Sequence, residues 1–253
     1  MDPSTLALIG LLSVFVGVLI GGIGIGGVLL VPMLAFVFGM EVHDAIAVAM
    51  FSYMFSGIVG ASIYARRRSI NWSMALWLCA GATPAAFAGA MAATAISPRG
   101  LEFVVALFIV TAGINVLVTR GEHGDRETAL SPLSLIVIGT VTGFGSALTG
   151  TGGPLILVPV LVWLKVPVLT AVGLSQVVQL PIAALATTGN FISGSVDMMV
   201  GGILAAALMV GAAFGARVAH AVSRATMRIV VAWVLVAVGL FLIVRIARVW
   251  LGS

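Results

Sequence analysis

Two glycine runs carry the chemistry open to this chain. The first reads Gly24-Ile25-Gly26-Gly27-Val28-Leu29-Leu30-Val31-Pro32, the second Gly150-Thr151-Gly152-Gly153-Pro154-Leu155-Ile156-Leu157-Val158-Pro159. Both have the form G-x-G-G followed by four or five residues and then a proline, and the form occurs nowhere else in the sequence. Glycines free a backbone to turn, and a helix starting just after such a turn, near Val28 or at Pro154, has N–H groups without intrahelical acceptors. Pro154 is well suited to a first helical position. Free N–H groups at the positive end of a helix dipole attract anions. The side chains nearby are neutral donors. The second half offers Ser146, Thr149, Thr151, Ser175, Gln176 and Gln179, the two glutamines three apart and so on one helix face. The first half offers Ser52 and Ser56, four apart, with Tyr53 beside them. The substrate-binding set read from this pattern is Gly24, Gly26, Gly27, Ser52, Thr149, Gly150, Thr151, Gly152, Gly153, Ser175, Gln176 and Gln179. For Ser52, Ser56, Thr140 and Thr142, hydrogen bonds that glue helices together are an equally good reading.

The elements that must position these residues lie in a membrane. Of 253 residues, 61% are hydrophobic, 31 are glycine and only 8% are charged, where a soluble domain has about a quarter charged. A soluble enzyme, a nucleic-acid binder and a disordered chain are excluded on that ground. Eight largely uncharged segments follow one another: Thr5–Gly39, Ala45–Ala65, Asn71–Ile96, Leu101–Thr119, Ser131–Leu164, Leu169–Ser193, Val196–Ala216 and Ala225–Ile246. About 20 apolar residues cross a bilayer, so six of these are single spans, while the first and fifth are too long for one crossing. Those two contain the glycine runs. No segment has a charged residue or histidine near its centre, which argues against a carboxylate proton relay and against buried acid–base catalysis. There is no Walker P-loop and no metal-ligand spacing, and Cys79 is the lone cysteine, so no cofactor, no metal and no enzyme activity are expected. His43, His123 and His220 read as exposed loop residues. Met1–Thr5 lacks a basic n-region, so the first apolar run is expected to stay in the mature protein.

The glycine motif recurs at an offset of 126 residues, half the chain. Weaker echoes support a duplication: Ala47-Val48-Ala49 against Ala171-Val172-Gly173, and Phe87-Ala88-Gly89-Ala90 against Ala213-Phe214-Gly215-Ala216. The expected organisation is an N-terminal repeat (1–119), a polar linker (120–130, containing RGEHGDRET) and a C-terminal repeat (131–253). A G-x-G-G pair could mark only a close helix contact. Two matched copies inside over-long segments favour a break, and the charges agree. With Arg66, Arg67 and Arg68 inside, hairpins folded at the glycines also put Arg120, Arg126, Lys165, Arg217, Arg224 and Arg228 inside. Only Arg99, Arg245 and Arg248 remain outside, with Asp2, Glu41, Asp44 and Asp197. Five segments per half then give the halves opposite topology. The fold class is all-α: a polytopic transmembrane bundle of two inverted repeats, each a glycine-broken helical hairpin plus three spans, as in many secondary transporters.

The paired motif with its following Val-Pro, and Ala171-Val172-Gly173-Leu174-Ser175 after the second copy, resemble the TauE/SafE sulfite exporter family, also called TSUP. The resemblance covers essentially the whole chain. It implies a multi-pass permease of a bacterial-type inner (plasma) membrane, exporting sulfite or a related organosulfur anion. Two departures stand out: Val28 and Pro154 occupy places where family runs often carry one more glycine, and Phe51 stands opposite Ser175. The expected partners are a small anionic substrate and the lipid bilayer, with no nucleic acid and with homo-oligomerisation left open. The reading is alternating access around the paired breaks. A passive anion channel is the alternative within transport, and a non-transporting membrane anchor subunit the alternative outside it.

Overall fold

A computed structural model describes residues 3–24, 26–97, 100, 130–192 and 197–221 of the chain. The segments Leu101–Thr119 and Ala225–Ile246, the Arg120–Thr128 stretch of the linker and His123 lie outside the described residues. The described residues form helices and turns with no strand. The helices are α1 (Pro3–Ile23), α2 (Gly27–Pro32), α3 (Val42–Arg66), α4 (Trp72–Ala95), α5 (Pro132–Thr149), α6 (Pro154–Trp163), α7 (Val168–Ile192) and α8 (Met198–Ala219). Six of them, all but α2 and α6, are long and apolar enough to cross a membrane. Both over-long segments are broken at their glycines. Pro32 ends α2, and the helix widens there into a π-helical turn, Met33–Val37, because a proline cannot donate to the preceding turn.

Caps start the long helices where the sequence supplies short polar side chains. Asn71 accepts from the Met74 N–H at 3.2 Å, Ser131 from Ser134 at 3.2 Å, and Asp197 from Met199 at 2.9 Å and Val200 at 3.1 Å. Pro132 then opens α5 as a first helical residue.

Cross-helix contacts fix which way each helix runs. A Cβ at Gly17 would stand 3.0 Å from the Leu208 Cα, and one at Gly21 2.7 Å from the Ala212 Cα, so α1 and α8 run parallel. A Cβ at Gly139 would lie 3.0 Å from the Leu78 carbonyl carbon, and one at Gly143 2.8 Å from the Ala82 Cα, so α4 and α5 are parallel too. Ser52 donates to the Gly201 carbonyl at 3.1 Å, and three turns on Tyr64 packs on His220 with ring centroids 5.0 Å apart, aligning α3 with α8. The α3–α7 pair is antiparallel: Gln179 meets Tyr53, while Gly173 meets Ser69. His43 at the start of α3 touches the Ala93 and Ile96 carbonyls at the end of α4, so α3 and α4 are antiparallel as well. Thus α1, α3 and α8 point one way, and α4, α5 and α7 the other. Since α1 and α3 are parallel, α2 and the π turn carry the chain back. Likewise α6 carries it back between α5 and α7. Both long segments are hairpins.

These directions segregate the charges. Arg66, Arg67, Arg68, Lys165 and Arg217, all the described basic residues, fall at one face, and Glu41, Asp44 and Asp197, all the described acids, at the other. This is the distribution expected of a protein oriented by its cationic loops.

Two sequence readings need correction. His43 and His220 are not exposed loop residues. His43 is partly buried in the first turn of α3, with Nδ1 2.8 Å from Glu41 and Nε2 3.1 and 3.2 Å from the carbonyls closing α4. His220 caps α8, with Nδ1 2.7 Å from the Ala216 carbonyl and Nε2 3.3 Å from Ser69 Oγ. Helix ends concentrate unpaired carbonyls, and a ring nitrogen satisfies them. The echo around Ala171 is also shifted. The α3/α7 pair and the α4/α8 pair each start 126 residues apart, as do Gly24 and Gly150. That register sets Ala45-Ile46-Ala47 against Ala171-Val172-Gly173, and Ala49 rather than Phe51 against Ser175.

Glycines set the spacing of the α1–α8 pair. A Cβ at Gly211 would fall on the Val14 carbonyl oxygen and 2.8 Å from the Gly17 Cα, whereas one at Gly202 would meet nothing within 4 Å. Gly211→Ala is expected to cost about 1–3 kcal/mol through overpacking, and Gly202→Ala to gain about 0.5–1 kcal/mol from helix propensity. Unfolding in detergent with a graded denaturant reads both. Equal midpoints would refute backbone contact as the reason for Gly211.

Candidate functional site

The two breaks meet inside the protein. A Cβ at Gly24 would lie 3.3 Å from the Pro154 Cβ and 3.3 Å from Ser175 Oγ, and one at Gly27 would fall on the Thr151 carbonyl oxygen. Tyr53 joins them: its hydroxyl donates to the Gly27 carbonyl at 2.7 Å, and its ring lies 2.8 Å from where a Gly152 Cβ would stand. The tyrosine is fully buried.

The breaks differ in conformation despite their shared motif. Gly24 and Gly150 match, with φ of 76° and 71°. Gly152 and Gly153 then also adopt positive φ, 80° and 106°, whereas Gly26 is helical at −62° and Gly27 already belongs to α2. The cause is the next residue. A proline disfavours the helical region for the residue before it, so Pro154 keeps Gly153 out of the helix, and Val28 places no such demand on Gly27.

At the second break the donors divide sharply. Gly150 and Thr151 N–H groups both reach the Ser146 carbonyl, and Ile156 and Leu157 share the Gly153 carbonyl. Pro154 has no N–H. The buried N–H groups of Gly152, Gly153 and Leu155 have no acceptor among the described residues. Beside them on α5 stand Thr142 and Ser146, one turn apart, both fully buried and both with unpartnered hydroxyls. The Thr142 methyl lies 4.0 Å from where a Gly153 Cβ would be.

The side-chain donors named from the sequence are mostly engaged within the protein. Thr149 donates to the Gly145 carbonyl at 2.7 Å, which leaves Thr151 to donate to Thr149 at 3.1 Å. Ser175 donates to the Val172 carbonyl at 2.8 Å, and Gln179 spends its amide hydrogens on the Tyr53 carbonyl at 2.8 Å and Ser56 Oγ at 3.1 Å. Gln176 gives one hydrogen to the Ile20 carbonyl at 3.0 Å, and its Oε1 is unpartnered. Ser52 points its hydroxyl to the Val48 and Gly201 carbonyls, at the α3–α8 contact. The structure therefore brings together Gly24, Gly27, Thr149, Gly150, Thr151, Gly152, Gly153, Ser175, Gln176 and Gln179, and holds Ser52 to α8. Sequence reasoning left Thr142 as equally well helix glue, and named Tyr53 beside Ser52 and Ser56 without placing it in the binding set. A usable signal for the tyrosine was present. Tyr53 and Tyr64 are the chain's two tyrosines, eleven residues apart and so on one face of α3. Both serve the first break, Tyr64 by donating to the Gly21 carbonyl at 3.1 Å.

A sequence profile described as Sulfite exporter TauE/SafE matches residues 6–242 of the chain. The chain belongs to the TauE/SafE family. TauE/SafE membership agrees with three curated relatives. A probable membrane transporter protein of Methanocaldococcus jannaschii is 27% identical, over 92% of this chain and 94% of its own. Two from Bacillus subtilis, the probable membrane transporter proteins YdhB and YjnA, are 22% and 24% identical over 87% and 92% of this chain, and over 93% and 98% of theirs. No solved structure matches the chain. With six helices fit to span a bilayer, this TauE/SafE chain is a multi-pass membrane transporter.

Proposed function

We propose that the protein is a secondary transporter of a small oxyanion, sulfite or an organosulfur anion, in the inner membrane of a bacterial-type cell. The observation that carries this reading is the group of three N–H groups, Gly152, Gly153 and Leu155, without an acceptor among the described residues; Thr142 and Ser146, whose buried hydroxyls also lack a partner there, stand on the helix that leads into the same break. Buried amides without acceptors are costly, and an oxyanion supplies several acceptors at once. The dipole of α6 adds positive potential at that end. No formal positive charge is needed, and among the described residues every Lys and Arg lies at a helix end. Thr151, Ser175, Gln176 and Gln179 then act as positioning residues that tie the two breaks and the α3–α7 pair together.

Alternating access fits the helix directions. Segments half a chain apart, α1 and α5, α3 and α7, α8 and α4, run oppositely, as inverted repeats require. Two short half-helices meeting at the centre give such halves a place to pivot.

The test is saturable flux into proteoliposomes, with sulfite as the labelled anion and sulfate, thiosulfate, sulfoacetate and taurine as competitors. Ser146→Ala and Thr142→Val are each expected to raise the half-saturating concentration roughly tenfold or more, since a hydrogen bond to a charged group is worth about 1.5–3 kcal/mol. Flux linear in concentration and without counterflow would establish a passive channel instead. No flux of any of the five would dismiss this substrate class.

A further inference from the structure

Two more buried polar groups without partners lie on α7 beyond the glycine breaks. Thr187 Oγ1 and Asn190 Nδ2 have no partner among the described residues, and both residues are 5% exposed. Asn190 is eleven residues past Gln179 on the same helix, so it shares that face roughly 16 Å further toward the end bearing the acidic residues. Unsatisfied polar groups inside lipid-grade helices are expensive unless water or a ligand visits them. Neither residue can be serving the α7–α3 contact by the bonds that Gln176 and Gln179 make.

The corresponding positions of the other half are built differently. Residues 126 earlier are Ala61 and Tyr64. Ala61 carries no polar group. Tyr64 is fully buried, donates to the Gly21 carbonyl at 3.1 Å and is backed by His220. Gln176 closes the same end against the Ile20 carbonyl at 3.0 Å. Toward the basic face, then, Tyr64 and the Gln176 amide nitrogen are tied to the carbonyls that end α1, with Gln176 Oε1 left over. Toward the acidic face neither Thr187 Oγ1 nor Asn190 Nδ2 has such a tie among the described residues.

We infer that Thr187 and Asn190 line the route by which the anion reaches the α6 N-terminus from the face bearing Glu41 and Asp197, while Tyr64 and Gln176 hold the opposite route shut. The inference rests on the transport reading for its cargo and on the orphaned side chains for its path. It divides the duplicated helices α3 and α7 into a sealing element and a conducting one.

Thiol labelling tests the path independently of transport. In a Cys79→Ala parent, single variants Thr187→Cys, Asn190→Cys and Ala61→Cys are treated with a membrane-impermeant maleimide applied to one side of oriented vesicles at a time. Met198→Cys, 54% exposed at the start of α8, marks the acidic face. Cysteines at 187 and 190 are expected to react from the Met198 side, at least about tenfold faster than at 61, because a thiol ionises only where water reaches it. Modification from the basic side, rates no higher than at 61, or no modification while Met198→Cys reacts would each overturn the route. Retained yield and monodispersity separate these outcomes from misfolding. Labelling as expected in a parent that shows no anion flux would keep the route and remove the cargo.

Discussion

Gly152→Leu is expected to abolish anion flux while leaving the protein in the membrane. The substitution meets two obstacles at one atom. Gly152 has φ of 80°, a conformation that costs an L residue about 1–2 kcal/mol. Its Cβ would also stand 2.8 Å from Cδ2 of Tyr53, a fully buried ring with no room to withdraw, and overpacking of that kind costs about 1–3 kcal/mol. The backbone must shift, and the shifting atoms are the N–H groups of Gly152 and Gly153. A displacement of about 1 Å is enough to ruin an arrangement of positioned donors. Uptake into proteoliposomes, measured beside the yield of inserted protein, decides the matter. Full uptake by Gly152→Leu would show that the second break is packing alone.

Tyr53→Ala should produce the largest loss of stability of any single change near the site, about 3–5 kcal/mol for a large buried aromatic. The ring fills the space between Gly152 and α3, and the hydroxyl satisfies the Gly27 carbonyl at 2.7 Å. Tyr53→Phe separates the two contributions. It keeps the packing and removes one hydrogen bond to a carbonyl that α2 also engages, at about 0.5–1.5 kcal/mol. Denaturant midpoints of both variants in the same detergent read the difference. If Tyr53→Phe were as damaging as Tyr53→Ala, the hydroxyl would be the whole of the effect, and the ring's contact with Gly152 would count for nothing.

These two residues also show what the sequence could and could not reveal. The break at Gly152 was legible because it is a backbone property written in residue type, although the matching Gly26 stays helical. The hairpins were legible from segment length and from the sidedness of Arg66–Arg68, Lys165 and Arg217. For Tyr53 the sequence offered its face, through the spacing to Tyr64, but not its partners: Gly27, 26 residues away, and Gly152, against which its ring lies. The hydroxyls of Thr149, Thr151 and Ser175 looked available because a sequence shows donors and hides acceptors. Each of them finds an acceptor within a few residues, Gly145, Thr149 and Val172, through the turn geometry of its own segment. Thr142 and Ser146 do not, and no local pattern distinguishes them. The difference between Gly26 and Gly152 was in reach, since Pro154 follows one motif and Val28 the other.

The pairing of α1 with α8, and of α4 with α5, interleaves the two halves. The first described helix lies against a helix that begins 195 residues later, with backbone-to-backbone contact at Gly17, Gly21, Gly211 and Gly215. At about 5–20 residues per second, the ribosome needs roughly 10–40 s to deliver that partner. Until then α1 stands in the bilayer without the helix its glycines contact. Cutting the chain between α4 and α5 therefore separates both pairs: each piece, made alone, lacks the helix that its own glycines contact.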